Sequence, residues 1–187
     1  MLTSLNLASP PTHFALGPIV STDSRGSLDS HGSLPNGIAV RGLDHLGVAV
    51  ESITAVRGFY ESTLGARYEG EEVVADQKVR VAFFRLGDGP TAVRLELLEP
   101  LDDASPIAKF LAKRGPGHHH TAYRVDDVGR ALAAAAQAGL RLIDHTPRRG
   151  AHGAHIGFLH PQSTGGMLIE FCSHEVGAGS LGCDVKE

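Results

Sequence analysis

Four side chains in this 187-residue chain have the types and spacing to hold a metal ion: His45, Glu96, His120 and Glu170. The two histidines lie roughly 75 positions apart, and so do the two glutamates. Each histidine opens an alternating stretch, Leu43-Asp44-His45-Leu46-Gly47-Val48-Ala49-Val50 and Gly117-His118-His119-His120-Thr121-Ala122-Tyr123-Arg124-Val125. Each glutamate sits in a later one, Leu95-Glu96-Leu97-Leu98 and Leu168-Ile169-Glu170-Phe171. An offset kept by two pairs marks a duplicated unit. Two imidazoles and two carboxylates without thiolate suit Co2+, Mn2+, Zn2+, Ni2+ or Mg2+. Such a set leaves one or two coordination positions open. An open position lets a metal polarise a carbonyl oxygen and hold an enolate.

The surrounding pattern supplies strands and helices to position these residues. In module one (residues 43–101), Leu46, Val48 and Val50 alternate with His45, Gly47 and Ala49, so the histidine faces away from the apolar side. Ser52 is placed to cap a helix with Ile53, Val56, Phe59, Tyr60 and Leu64 on one side, closed by Gly65. Strands are predicted at 67–74, 79–86 and 92–98, with Arg94, Glu96 and Leu98 sharing one face. A connecting helix over 105–114 follows. It has Ser105-Pro106 at its start, Lys113 and Arg114 in its last turn, and Gly115 as its stop. Module two (residues 117–174) repeats the order. A strand puts His118, His120, Ala122 and Arg124 on one face, and of the three consecutive histidines only His120 is read as a ligand. Asp126 or Asp127 caps an alanine-rich helix ending at Gly139. Strands are predicted at 140–143, 155–159 and 167–172, with a loop over 146–153. The fold class is therefore α+β, with two tandem βαβββ modules.

Flanking segments read differently. Residues 1–41 are rich in Ser, Gly, Pro and Asp and are expected to form a flexible extension of little functional weight. They lack the charged start and apolar core of a secretory signal. Residues 175–187 read as a loose tail. The chain is 42% hydrophobic and 20% charged, as a globular domain of this length should be. A net charge of -4 speaks against a nucleic-acid partner. No apolar run approaches the roughly 20 residues that span a bilayer. Two cysteines, Cys172 and Cys183, are too few for a disulfide scaffold, which points to a reducing, cytoplasmic setting.

The sequence resembles the vicinal oxygen chelate superfamily and, within it, the methylmalonyl-CoA epimerases. The likeness runs over residues 42–174. The more specific segments are Ser105-Pro106-Ile107-Ala108-Lys109-Phe110-Leu111, Gly150-Ala151-His152-Gly153 and His160-Pro161-Gln162-Ser163-Thr164-Gly165-Gly166. The resemblance implies paired βαβββ modules forming a cup around a metal, with His45, Glu96, His120 and Glu170 as ligands and Co2+ first among the candidate ions. It implies interconversion of (2R)- and (2S)-methylmalonyl-CoA through an enolate, a place in propionate metabolism, and a homodimer. Some relatives place a glutamate base at the position of Val81, which cannot take a proton. Glu170 is then expected to act as base on one face, and His152 and Glu72 are candidates for the second group. Arg148, Arg149, Lys109 and Lys113 are the cations available for coenzyme A phosphates. Two alternatives stand beside this reading. One is a glyoxalase I-like isomerase or lyase with the same ligands; the other is a non-catalytic small-molecule binding protein of the same fold. A two-histidine, one-carboxylate extradiol dioxygenase site is disfavoured by the fourth ligand.

Overall fold

The computed structural model describes residues 38–174. The expected N-terminal extension therefore lies outside the described residues up to residue 37, and the expected C-terminal tail lies wholly outside them. Eight strands and three helices follow in the order β1 (Val40–Ala49), α1 (Ile53–Gly58), β2 (Arg67–Val74), β3 (Val79–Leu86), β4 (Val93–Pro100), α2 (Pro106–Arg114), β5 (Gly117–Val125), α3 (Val128–Gln137), β6 (Arg148–Arg149), β7 (His155–Leu159) and β8 (Ile169–Ser173). They build one sheet in the order β2-β3-β4-β1-β5-β8-β7-β6. The order is palindromic by module. Each module's first strand runs parallel to its last, β1 to β4 and β5 to β8, and the two first strands pair antiparallel at the centre. The α+β architecture of two βαβββ modules is thus as expected.

Alternation sorts the sheet into two faces. On the outer face, Leu95 and Leu97 of β4 pack with Ala82 and Phe84 of β3, Ile53 of α1 and partly buried Leu46 and Val48 of β1. The equivalent module-two cluster joins Val128, Ala131, Leu132 and Ala135 of α3 to Leu159 and Phe171. Removing fully buried Phe84 or Leu132 would cost about 3–5 or 2–5 kcal/mol respectively. The inner face is concave and carries the polar residues of the central strands. Helix α2 packs on this side, where Ile107 meets Val79, Val81 and Leu98. Its first turn is held by buried Ser105, whose hydroxyl accepts from the Ile107 N–H.

Some boundaries depart from expectation. Strand β1 begins three residues earlier than module one was read, because Val40 pairs with Val125 and the Arg41 guanidinium reaches Asp126. Helix α1 gives way after one and a half turns to a π-helical turn, Phe59–Thr63, before left-handed Gly65 ends it. The strand expected at 140–143 is only a single bridge between Leu142 and Leu159. The N–H groups of Ile143 and Asp144 both converge on the Phe158 carbonyl, which a ladder does not allow. The strand that completes module two is instead β6, lying inside the expected 146–153 loop, where Arg148 and Arg149 pair with Ile156 and His155. Among the described residues no helix is long and apolar enough to cross a membrane.

Candidate metal centre

The four residues singled out from the sequence meet at the centre of the concave face. His45 and His120 come from the paired central strands, and Glu96 and Glu170 from the strands flanking them. His45 Nε2 lies 3.0 Å from His120 Nε2, 3.6 Å from Glu96 Oε2 and 3.8 Å from Glu170 Oε1. His120 Nε2 lies 3.5 Å from Glu170 Oε2. An ion bonded at about 2.0–2.2 Å spaces its ligand atoms roughly 3.0–3.5 Å apart, and His45, Glu96 and His120 offer ligand atoms within 4.8 Å of one another, with Glu170 beside both histidines. All four are buried, with 9% or less of each residue exposed. A cluster of two carboxylates with two imidazoles, removed from water and with no other cation among them, is costly without a positive charge at its centre.

The charges respond in the direction such a cation would satisfy. Burial alone would lower the His45 pKa, but the Glu96 carboxylate, the bond to Asp44 and the Glu170 carboxylate outweigh it and raise the value to about 9. Burial pushes the Glu170 carboxyl up to about 8. Burial, and then the charge on His45, holds His120 well below its ordinary range.

The supporting residues fix both imidazoles with Nε2 inward. His45 Nδ1 is 3.1 Å from Asp44 Oδ1, so its N–H donates outward to a carboxylate that is itself flanked by His174, Arg94 and Arg124. His120 Nδ1 is 2.9 Å from His119 Nδ1. Burial, with a smaller contribution from His118, lowers the His119 pKa to about 4, so His119 is neutral at pH 7 and able to accept. The sequence reading put His118 and His120 on one face, took only His120 as a ligand, and left His119 on the other face. A register shift between Gly47 and Val48 bulges β5, so that His119 lines the cavity as well, against Phe110, while His118 turns to Thr121. Gly47 is the remaining requirement: a Cβ there would run into the His120 ring. Asp44, His119 and Gly47 were not read as site residues, although each is within two positions of a histidine ligand or paired opposite it.

The centre forms part of the floor of a cavity of about 480 Å³, with Val79, Val81, Leu98, Ile107, Phe158 and Leu168 among its apolar walls. Residues 44–158 match the family profile of the Glyoxalase/Bleomycin resistance protein/Dioxygenase superfamily. The chain belongs to that superfamily. An uncharacterized protein of Bacillus subtilis, YqjC, is 45% identical over 70% of this chain and 90% of its own length. The mitochondrial methylmalonyl-CoA epimerase of Bos taurus is 34% identical over 82% of this chain and 86% of its own. The fold is likewise that of a Streptomyces coelicolor methylmalonyl-CoA epimerase variant solved with 2-nitronate-propionyl-CoA. That structure has a TM-score of 0.69 at 36% identity and covers 73% of this chain and 99% of the other.

On this superfamily scaffold the remaining candidates separate. Val81 lies on the cavity wall, as does His152, while Glu72 does not line the cavity. Glu72 instead accepts the His152 backbone N–H at 2.9 Å. Of the four cations expected for phosphates, only Arg148 lines the cavity. Its guanidinium lies over the Phe158 ring and its Nε donates to Asp144. Arg149, Lys109 and Lys113 are exposed outside it.

Proposed function

We propose that this protein is a metal-dependent methylmalonyl-CoA epimerase, with His45, Glu96, His120 and Glu170 as ligands and Co2+ the first ion to test. The observation that carries the reading is the convergence of these four buried side chains in an open cavity of an epimerase-like chain. The substrate follows from the relatives, several of which are methylmalonyl-CoA epimerases, one solved with an acyl-CoA analogue.

The chemistry asks for loss of a C2 proton that lies between a thioester carbonyl and a carboxylate. A divalent ion, when bound, supplies electrostatic stabilisation to the two oxygens that gain charge as the enolate forms. The residues of the chain do the rest. Glu170 is the carboxylate proposed to receive the C2 proton at one of its oxygens, since it is buried beside the reacting centre. Asp44 and His119 keep the imidazoles turned inward. The apolar walls suit the uncharged part of the acyl group, and Arg148 places a cation within the cavity for an anionic part of the substrate. The planar enolate then needs a proton on its other face.

The test is to supply purified protein, loaded with Co2+, with (2R)-methylmalonyl-CoA and follow the C2 configuration. Conversion to an equal mixture of epimers supports the reading. Turnover of a hemithioacetal instead would move the assignment to a glyoxalase I-like isomerase. Ligand binding with no turnover of either would make it a binding protein.

A further inference from the structure

An inversion at carbon needs acid–base groups on two sides, and Glu170 supplies one. We infer that His152 is the second group, the one that serves the face of C2 turned away from Glu170; this rests on the epimerase reading. Most other titratable side chains lining the cavity are committed elsewhere. His119 braces His120. Asp144 accepts from Arg148 and from the Phe158 N–H. His174 bonds to Asp44, and Cys172 is buried, its thiol pushed up in pKa by that burial. Asp76 stands on the exposed turn Ala75–Gln77 between β2 and β3. His152 lines the cavity, is solvent-exposed, and its ring nitrogens make no hydrogen bond among the described residues.

The placement of His152 is built. The short helical turn Ala151–Gly153 belongs to module two in sequence, yet it docks on module one. Ala151 packs with Val79, Val81, Phe83, Leu98 and Ile107. The His152 ring meets Phe83 edge-on, with centroids 4.0 Å apart. The Glu72 carboxylate holds its N–H across 80 positions of sequence. His152 adopts φ 51 and ψ 27, a left-handed conformation uncommon outside glycine. Phe83 pairs in register with Glu96, and Val81 with Leu98, so the imidazole enters the cavity beside the apolar Val79, Val81 and Phe83 of β3. Glu170 stands on β8 in the other half of the sheet. The two groups thus reach the cavity from different elements, Glu170 from β8 and His152 from the turn packed on β3.

The steps balance as follows. The C2–H bond breaks, the proton passes to Glu170, and the electron pair moves onto the thioester carbonyl oxygen. The enolate pair then takes a proton from the His152 imidazolium on the other face, forming the new C2–H bond. Glu170 is left protonated and His152 neutral, and exchange with solvent water resets both. The opposite epimer uses the same two groups in reverse. Solvent exposure suits His152 to that reset.

The deciding experiment uses His152→Asn, since asparagine tolerates the left-handed conformation but cannot transfer a proton. Each C2 epimer is incubated separately in D2O with the Co2+-loaded full chain, and deuterium uptake and inversion are both measured. The variant is expected to lose inversion by about 10²–10⁴-fold. The epimer whose C2–H faces Glu170 should still take up deuterium, with retention of configuration. Inversion at the wild-type rate would overturn the proposal. So would an equal fall in exchange and inversion for both epimers, which is what a merely structural role predicts. Failure of the wild-type chain to invert either epimer would instead remove the epimerase reading itself.

Discussion

The two modules contribute the same candidate ligands, one histidine and one glutamate each, but they surround them differently. Module one has three eight-residue strands after its helix and anchors His45 on a carboxylate, Asp44, flanked by three basic side chains. Module two has a two-residue strand in the equivalent place and braces His120 with a second imidazole in a bulge. Beyond that strand, module two places the turn Ala151–Gly153 on its neighbour, where His152 enters the cavity. The candidate ligand set is therefore symmetric between the modules, and the cavity around it is not. A symmetric centre suits an ion, whereas a chiral substrate needs unlike walls.

The largest effect should separate the two carboxylates. Glu170→Gln removes the proposed base, and the rate of C2 exchange should fall about 10²–10⁴-fold. Glu96→Gln keeps an amide oxygen able to bind a metal, so it should weaken metal binding while retaining much of the exchange rate. Equal losses in the two variants, measured by NMR in D2O, would erase the distinction drawn between the modules. The seam between modules is the next place to strike. Gly47→Ala on β1 forces a methyl group against the His120 ring of β5. It should destabilise the fold by about 1–3 kcal/mol in urea unfolding and reduce metal affinity as well. The two braces come third. Asp44→Asn and His119→Phe should each lower metal affinity about 10–100-fold by calorimetry, with little change in global unfolding. If only one does so, just one module orients its histidine through this contact. The smallest effect is expected at the link between modules. Ser105→Ala removes the cap of α2 at a cost of about 1 kcal/mol, read as a lower melting temperature with metal affinity unchanged.

Much of the candidate site was legible because strands have a period of two. Leu95 and Leu97 must face a helix, so Glu96 must face the other way, and the same holds for Glu170 between Ile169 and Phe171. Repetition of the pattern then put both halves in one site. Parity failed where pairing is irregular. A bulge turns His119 inward although counting from His120 puts it outward, and nothing in the histidine run itself shows where the extra residue falls. The strand β6 was hidden because Pro147 and the glycines around it read as a loop, and two residues carry no periodicity. The Glu72–His152 bond was equally out of reach. Both residues were picked on chemistry, but their division of labour depends on a contact between modules, with one side chain holding the backbone of the other.

The central claim is that these four buried side chains hold a divalent ion on which proton exchange depends. The most direct test follows deuterium uptake at C2 of methylmalonyl-CoA in D2O, with elemental analysis of the same sample, before chelation, after chelation, and after Co2+ is restored. The account predicts about one ion per chain, rapid uptake with inversion, loss of both on chelation, and recovery with the metal. Undiminished uptake by protein shown to be metal-free would contradict it.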